Sequence, residues 1–385
     1  MKIESFPSNV LELVRNNSGL KMYLNNLERG RPATPRSWLY EQKSDTEVLH
    51  AWLSHLERVK DMEYGDLVYQ FDTSQLKKWG AQGEVKPIKE LMDLVTEGFS
   101  LAGTPKPAIW NTDSWRKAKE NAVFYLFKET GIYKRLRPRA YTHVVDDMRD
   151  RDTLESNSGF PDFGRRKKPE ILSQAYADIE SGAMWQYPAI ALFRNYNAKT
   201  RLVWMYPMSV NIYEGSFTQP LKEALMKSDL SFIAPWRGYD FVLERISKLY
   251  GTGEYLSASD FSHTDAHFTK WAVLEVYDVI KYAYQEQYWD DLKRSLLHVV
   301  SLPLLISEKS WIIGDHGVSS GSNWTNDIET YMDFIIAQYL TLNSIVKEPC
   351  MAIGDDIAHR RDSYDPELAQ KIAKVCQSMG FDVNA

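Results

Sequence analysis

Two adjacent carboxylates, Asp355 and Asp356, follow a glycine between two short apolar segments, 349–353 and 357–360. The apolar segments have the length of strands and the glycine suits a tight turn, so a β-hairpin is predicted here. Neighbouring carboxylates repel one another, which raises a pKa unless a cation lies between them. Mg²⁺ takes carboxylate oxygens together with substrate phosphates, so a metal-binding turn is one interpretation. A solvated turn is the other, because Gly-Asp-Asp alone is a weak signal.

A second acidic segment favours the metal-binding interpretation. Asp260 ends a strand predicted over 254–260, and Asp265 follows after a turn. Asp260 can therefore reach a metal ion, whereas Asp265 is placed to contact a neighbouring group such as a ribose hydroxyl. N-capping of the following helix is the alternative role for Asp265, and the two roles are compatible.

A Gly/Ser-rich segment, 317–323, leads directly into a long helix predicted over 321–345. Small residues let a backbone approach a ligand closely. Thr325, Asn326 and Glu329 fall on or near one face of this helix. The alternative interpretation is a flexible loop before an ordinary helix.

Basic residues interleaved with aromatic ones mark a hairpin predicted over 187–205. Arg194, Lys199 and Arg201 are its cations. Opposite an acidic metal site, such cations suit a triphosphate. A solvated, charged hairpin is the alternative.

A further basic segment follows a Gly- and Pro-rich loop predicted over 150–170. Arg165 and Arg166 come shortly after Ser158 and Gly159. This pattern predicts a contact to a nucleic-acid backbone, although most isolated basic runs are simple surface.

Composition limits the class of protein. The chain has 385 residues, enough for two or three domains, and a net charge of −6, so any nucleic-acid site must be local. Its two cysteines, Cys350 and Cys376, exclude a disulfide framework and a cysteine-based zinc site. No secretory signal and no apolar stretch near the roughly 20 residues of a membrane span is found, so a soluble cytoplasmic protein without a membrane partner is expected.

Helical periodicity over 8–28, 45–60, 87–99 and 112–130 predicts a mainly helical N-terminal region, with Gly19 interrupting the first helix. Further helices are predicted over 171–182, 217–228, 265–298 and 365–379. Strands and helices alternate in the C-terminal half, with a small hairpin near 310–313. This order predicts an α+β fold in which a small antiparallel sheet is backed by helices.

Taken in order, these segments resemble the motif series of the viral RNA-dependent RNA polymerases. The similar segments are motif G at 156–159, motif F at 194–201, motif A at 260–265, motif B at 320–325 and motif C at 354–356. A glycine rather than an aromatic residue before the Asp pair argues against a reverse transcriptase.

Within that class, three segments look picobirnavirus-like, with the related partitiviruses next: GLKMYLNNLERGRPATP, VWMYPMSVNIYEGSFTQPL and SGSNWTNDIET. The resemblance covers nearly the whole chain. It implies a right-hand polymerase fold, two Mg²⁺ ions with Mn²⁺ as a substitute, and an RNA template, nascent RNA and ribonucleoside triphosphates as ligands. It also implies replication and transcription of a double-stranded RNA genome, a capsid protein as partner, and a location in the infected cell's cytoplasm and in the virion interior.

The resemblance assigns roles to individual residues. Catalysis and metal binding fall to Asp260, Asp355 and Asp356. Triphosphate binding falls to Arg194, Lys199 and Arg201. Ribose selection falls to Asp265, Ser320, Gly321, Thr325 and Asn326. Template contact falls to Ser158, Gly159, Arg165 and Arg166. Many positive-strand polymerases have Asn where Glu329 stands, so either Asn326 or Glu329 joins the 2′-hydroxyl network.

The predicted domains are a helical N-terminal extension (1–110), fingers (111–250) and a palm (251–385) with a helical fingers insertion around 267–312. The chain ends before the family's motif D lysine, motif E and thumb, so the thumb is expected to be absent. Three alternatives stay open: a truncated polymerase, one half of a divided polymerase whose second chain carries the thumb, and a non-catalytic RNA-binding or capsid-associated protein. A two-metal nuclease shares the carboxylates but leaves the basic hairpin unexplained.

Overall fold

The computed structural model describes residues 1–30, 45–79, 85–196, 199–252 and 254–384, and the fold rests on two β-sheets with helices packed against them. Its strands are β1 (Lys2–Ser5), β2 (Ala189–Tyr196), β3 (Lys199–Met205), β4 (Tyr255–Ser262), β5 (Leu304–Leu305), β6 (Ser310–Ile313), β7 (Glu348–Ile353), β8 (Asp356–Arg361) and β9 (Asp382–Asn384). The α+β class is therefore confirmed.

The helices of the N-terminal half are α1 (Ser8–Asn16), α2 (Ser18–Arg29), α3 (Asp45–Val59), α4 (Gly65–Trp79), α5 (Met92–Glu97), α6 (Asp113–Val123), α7 (Tyr141–Asp150) and α8 (Pro169–Ser181). Those that follow are α9 (Met208–Met226), α10 (Ala234–Arg237), α11 (Tyr239–Gly251), α12 (Thr264–His267), α13 (Lys270–Ile280), α14 (Trp289–His298), α15 (Thr325–Leu342) and α16 (Leu368–Ser378). None of these helices is long and apolar enough to cross a membrane.

The smaller sheet is antiparallel, with the strand order β7-β8-β4-β9. The predicted hairpin forms as β7 and β8. Strand β4 continues to Ser262 rather than ending at Asp260, because β9 pairs with Asp260, Phe261 and Ser262. Asp260 therefore lies inside a central strand that is paired on both sides. This pairing fixes the direction of the Asp260 side chain more firmly than a position at a strand end would.

The larger sheet has the order β1-β6-β5-β2-β3 and contains the predicted basic hairpin as β2 and β3. Two residues of its turn, 197–198, lie outside the described part. Strands β5 and β6 form the small hairpin predicted near 310–313. Strand β1 was not predicted. It pairs with β6 at the edge of the larger sheet, and all four of its residues are exposed. Its sequence therefore lacks the alternation of buried apolar and exposed polar residues that predicts a strand.

The break in the first predicted helix falls at Asn17 and not at Gly19, which lies inside α2. The Asn17 side chain accepts a hydrogen bond from the backbone N–H of Leu20 at 2.9 Å and so caps α2. Its Nδ2 donates to the carbonyls of Pro161 and Asp162 at 2.9 and 2.8 Å. The break is thus set by contacts to a distant loop.

Two hydrophobic cores support the sheets. One gathers apolar side chains of α6, α13, α15 and α16 against the smaller sheet, and the other gathers those of α1, α2, α7 and α8 against the larger sheet. Helix α9 contributes to both cores. Residues of the predicted N-terminal extension share the core on the larger sheet with α7 and α8 of the predicted fingers, whereas α6 of the fingers packs beside α15, so these cores do not follow the boundary at 110. The domain division itself stays a prediction.

Phe381 ties the end of the described chain to β4. Its ring is 1% exposed and lies 5.4 Å from that of Phe261 and 4.9 Å from that of Phe268, between ring centroids. We expect Phe381→Ala to lower the free energy of unfolding by about 3–5 kcal/mol, because a large cavity replaces the ring. Denaturant titration measures this. Tyr364→Ala is the matched control: its side chain is 71% exposed, so a change within about 0.5 kcal/mol is expected. Equal losses would contradict the account.

Candidate active site

Two predicted catalytic carboxylates lie opposite each other on neighbouring strands of the smaller sheet. Asp260 in β4 is the direct antiparallel partner of Asp356 in β8. Cβ atoms of such partners lie about 4.5–5.5 Å apart, and like charges at this spacing destabilise a sheet. Burial, Asp355 and Asp260 together raise the pKa of Asp356, in that order. The three carboxylates therefore converge, and a cation between them would relieve their repulsion.

Asp355 is held in place from two sides. The Thr264 hydroxyl lies 3.0 Å from its Oδ2 and 3.1 Å from the carbonyl oxygen of Phe261, so one proton serves one of these acceptors at a time. On the other side, the N–H of Gly354 donates to Oγ1 of Thr330 in α15 at 2.9 Å. Gly354 has a φ of +59°, and a Cβ there would lie 2.8 Å from Nδ2 of Asn326. Glycine is thus required by both conformation and space.

Asp265 lies within range of both an acidic and a basic group of the site. Burial, then Asp355 and Glu97, raise its pKa to about 7, and Arg201 acts in the opposite direction. His263, with a φ of +51°, is the residue that precedes α12, and Asp265 is the second residue inside that helix. The helix-capping alternative for Asp265 is therefore wrong.

The Gly/Ser-rich loop is fastened to strand β3. The N–H of Trp204 donates to the Ser320 carbonyl at 2.9 Å, and the Thr325 hydroxyl donates to the Ser319 carbonyl at 2.8 Å. Gly321 has a φ of +124°, and a Cβ there would lie 2.0 Å from the Trp204 carbonyl oxygen. Helix α15 consequently begins at Thr325 rather than at 321. Ser320, Gly321 and Thr325 shape the loop through these contacts.

The two candidate ribose contacts on α15 differ in accessibility. Asn326 is exposed beside Gly354, whereas Glu329 is only 6% exposed. Burial, then Asp265, Asp355 and Asp333, raise the pKa of Glu329 to about 9. Glu329 is therefore a protonated, enclosed group at neutral pH, while Asn326 presents its amide to the site.

The basic hairpin carries its own like-charge pair. Arg194 in β2 is the direct cross-strand partner of Arg201 in β3, and Lys199 lies two residues before Arg201. All three side chains are exposed. Facing guanidinium groups destabilise a hairpin unless an anion lies between them. The charge of Arg201 acts to lower the pKa of Asp265, so the hairpin lies within electrostatic range of that carboxyl group.

The residues predicted to contact the template face inwards. Ser158 is 1% exposed and its hydroxyl accepts from the N–H of Gly164 at 3.1 Å, and Gly159 is also buried. Arg165 donates to the carbonyl of Glu155 at 2.6 Å. Ser158 and Gly159 thus hold the loop together and offer no side-chain surface, and their contact to the template stays a prediction.

Arg166 also acts inside the protein. Its Nε donates to the Asn157 carbonyl at 3.0 Å and its terminal nitrogen to Oδ1 of Asn211 at 2.8 Å. Burial lowers its pKa to about 10. The guanidinium thus connects the 156–166 loop to α9, and the contact of Arg166 to the template stays a prediction.

Helix α9 contains two functional residues that the sequence analysis missed. Oε1 and Oε2 of Glu214 accept from the Ser322 hydroxyl and the Asn323 N–H, each at 2.7 Å, and Nδ2 of Asn211 donates to the Gly321 carbonyl at 3.1 Å. Burial raises the pKa of Glu214 to about 7, against the effect of these hydrogen bonds. Isolated polar residues in the apolar stretch after β3 were the available signal.

The donor set fits a hard divalent cation. Asp260, Asp355 and Asp356 offer carboxylate oxygens, with no thiol or imidazole among them. Within the described residues, no three His, Cys, Asp or Glu side chains are grouped closely enough to enclose an ion. Mg²⁺ needs only one or two carboxylates when substrate phosphates and water complete its octahedron, so an open site of this kind suits it.

Comparisons with known proteins agree with this geometry. Residues 196–385 match a family model described as viral RNA-dependent RNA polymerase. A potential RNA-dependent RNA polymerase of human picobirnavirus is 27% identical over 96% of this chain and 69% of its own length. An RNA-directed RNA polymerase of Cryptosporidium parvum virus 1 is 24% identical over 38% of this chain and 28% of its own length. The crystal structure of a human picobirnavirus RNA-dependent RNA polymerase has a TM-score of 0.69 and 21% identity, covering 99% of this chain and 73% of that one. The chain therefore has a polymerase fold.

Burial of Glu329 predicts a pH effect on stability. Between its ordinary pKa near 4.5 and its folded pKa of about 9, the folded protein holds a proton that the unfolded chain releases, so stability falls as pH rises. Glu329→Gln removes this loss. We expect the variant to gain roughly 1–2 kcal/mol over the wild type between about pH 6 and about pH 8, measured by denaturant titration without divalent metal. Glu90→Gln, at an exposed site, is the control, and parallel curves for Glu329→Gln and the wild type would refute the prediction.

Proposed function

We propose that this chain is a viral RNA-dependent RNA polymerase that joins ribonucleotides along an RNA template at Asp260 and Asp355. The family-model match, the picobirnavirus relative and the polymerase fold support the proposal. RNA and ribonucleoside triphosphates are the substrates that this activity implies. The observation that carries the proposal is the register that sets Asp260 opposite Asp356 beside a braced Asp355.

The site residues have three proposed roles: metal binding, triphosphate binding and ribose selection. Asp260 and Asp355 would hold two Mg²⁺ ions, with Asp356 assisting and Mn²⁺ as a substitute. When bound, such ions would supply a lowered pKa for the attacking 3′-hydroxyl and positive charge to balance the departing pyrophosphate. Thr264 orients Asp355 by its hydroxyl contact, so the carboxylate is directed before substrate arrives.

The triphosphate lies between Arg194, Lys199 and Arg201. The exposed arginine pair supports this role, because an anion relieves the repulsion between facing guanidinium groups. The link from Arg201 to Asp265 supports a continuous path from triphosphate to ribose.

Asp265 and Asn326 select the ribose. Asn326 is favoured over Glu329 as the partner of the 2′-hydroxyl network, because its amide is exposed whereas the Glu329 carboxyl is buried. Ser320, Gly321 and Thr325 serve by holding the loop in shape against β3. A template contact for Arg165 and Arg166 requires the 156–166 loop to open, so it is not part of the proposal.

On the same proposal, residues 111–250 act as fingers and 251–385 as palm, and the enzyme replicates and transcribes a double-stranded RNA genome. A capsid protein, a second chain that carries the thumb, and a location in the infected cytoplasm and the virion interior belong to the proposal as well. The chain covers 69% of the picobirnavirus relative.

Removal of one carboxylate tests the proposal. Asp355→Asn keeps the size of the side chain and removes its charge, so we expect nucleotide incorporation to fall at least about a thousandfold, since a metal ligand contributes several kcal/mol to the transition state. A primer-extension assay with Mg²⁺, with and without EDTA, measures this. Asp240→Asn, near the start of α11, is the matched control and should keep full activity. Robust extension by Asp355→Asn would refute the role, and RNA binding without any extension by the wild type would favour the non-catalytic alternative.

The arginine pair gives a second test. Arg194→Gln should raise the KM for ribonucleoside triphosphates roughly tenfold with a smaller effect on kcat, because a charge-assisted contact to phosphate contributes about 1.5–3 kcal/mol of binding. Steady-state kinetics with varied nucleotide separates the two constants. Arg15→Gln, on the exposed end of α1, controls for charge. An unchanged KM would remove Arg194 from the triphosphate site.

A further inference from the structure

A strongly basic segment lies outside the catalytic motifs. Residues 113–139 hold eight Lys and Arg against three Asp and Glu, a net charge of +5 in a chain whose total is −6. Part of this excess is balanced within the protein, because Lys119 pairs with Glu275 and Asp278 and Arg139 pairs with Glu223. The remaining cations can attract an anionic partner.

Part of this segment forms a surface with a second stretch, 281–289. The rings of Tyr133 and Tyr282 lie nearly parallel, 9° apart, with centroids separated by 5.8 Å. The Trp289 ring stands edge-on to Tyr282 at 5.5 Å. We name the lysine–aromatic platform after these three rings and the three lysines around them: Lys128, Tyr133, Lys134, Lys281, Tyr282 and Trp289.

The lysines lie over the rings. The Nζ of Lys128 is 5.2 Å from the Tyr133 centroid, and that of Lys134 is 5.5 Å from Tyr133 and 5.6 Å from Trp289. The Nζ of Lys281 is 5.4 Å from Tyr282 and 5.5 Å from Trp289. Cations and ring faces thus share one continuous, half-exposed surface.

Backbone hydrogen bonds make the platform rigid. The N–H of Lys134 donates to the Tyr282 carbonyl at 2.7 Å, and that of Leu136 to the Ala283 carbonyl at 2.9 Å. Nε1 of Trp289 donates to the Tyr284 carbonyl at 3.1 Å. The rings are therefore positioned before any ligand binds, which lowers the entropic cost of binding.

Charge on the platform is only partly neutralised within the protein. Glu286 pairs with Lys134 at 2.5 Å, and Asp278 pairs with Lys281 at 3.1 Å. Among the described residues, no carboxylate lies within 4 Å of the third platform lysine, Lys128. The same holds for Arg135 and Arg137, two exposed cations that follow Lys134 in the sequence. Helix α14, which begins at Trp289, borders a cleft of about 470 Å³ that is lined by Lys293, Arg294 and Trp185 and also by Asp290.

We propose that the lysine–aromatic platform binds single-stranded RNA away from the catalytic carboxylates. Lysines and arginines there neutralise phosphates, while the tyrosine and tryptophan rings stack on bases. Unpaired bases are required for stacking, so a single strand fits better than a duplex. The inference rests on the proposed function only in taking RNA as the ligand. An acidic protein segment would match the cations but would leave the aligned rings without a role.

A charge-removal variant tests the platform in the full chain. Lys128→Gln, Arg135→Gln and Arg137→Gln are combined, because these side chains have no carboxylate partner in the described part of the chain and their loss should not disturb folding. The probe is fluorescent oligouridylate, followed by anisotropy over a range of salt concentrations. We expect affinity to fall tenfold or more, and the slope of log K against log salt to become shallower by about 2, since each phosphate contact on a single strand contributes about 0.7.

Matched variants control for charge and test stacking. Lys89→Gln, Lys309→Gln and Lys374→Gln remove the same charge from exposed positions elsewhere and should leave affinity and slope nearly unchanged. Tyr282→Leu keeps apolar volume but removes the stacking face, so it should weaken binding severalfold with an unchanged slope. Thermal unfolding of each variant verifies that it is folded.

Cross-linking with ultraviolet light locates the RNA. Cross-links within 128–137 and 281–289 support the proposal, whereas cross-links confined to the catalytic cleft overturn it. Equal affinity and slope for the triple variant and wild type also overturn it. If the platform variants lose RNA binding while the wild type fails to extend a primer, the proposed polymerase activity is refuted and the proposed RNA-binding platform is supported.

Discussion

Repulsion between like charges on neighbouring strands is the constraint around which this molecule is built. Asp260 opposes Asp356 in the smaller sheet, and Arg194 opposes Arg201 in the larger one. Neither arrangement stabilises a sheet by itself. Each becomes favourable when a counter-ion of opposite sign is present, a divalent cation in the first case and a polyphosphate in the second. A metal–triphosphate complex supplies both counter-ions at once.

Two helices with unusual polar interiors hold this arrangement in place. Helix α15 places Thr330 against Gly354 and buries Glu329 near the catalytic turn. Asp333, one turn later, is fully buried, and within the described residues neither of its oxygens has a hydrogen-bond partner. Burial, Asp355 and Asp356 raise its pKa. Helix α9 supports the Gly/Ser-rich loop through Glu214. The raised pKa values thus favour the neutral forms of Glu329 and Asp333 behind the site. This limits the negative charge around Asp260 and Asp356.

Local signals were sufficient for the parts of the site that lie on hairpins. Short apolar strands flanked by Gly and Asp predicted β7 and β8, and the alternation around Arg194 predicted β2 and β3. Long-range contacts decided the rest. Helix α9 begins at Met208, whereas the predicted helix began at 217. The helix is buried on nearly every side, so its sequence lacks the periodic apolar pattern from which its first turns could be predicted. Arg166 faces Asn211, 45 residues away, and no local pattern reveals that partner.

The central position of β4 has a consequence for how the site is maintained. Phe261, the next residue after Asp260, points to the opposite face and joins the ring cluster of Phe268 and Phe381. Because side chains alternate along a strand, a slip of one residue would exchange the two faces. The acid would then enter an aromatic interior while the ring moved into water. Burial of Phe261 in the hydrophobic core therefore opposes such a slip. It fixes the position of the Asp260 carboxylate, although Phe261 itself takes no part in the chemistry.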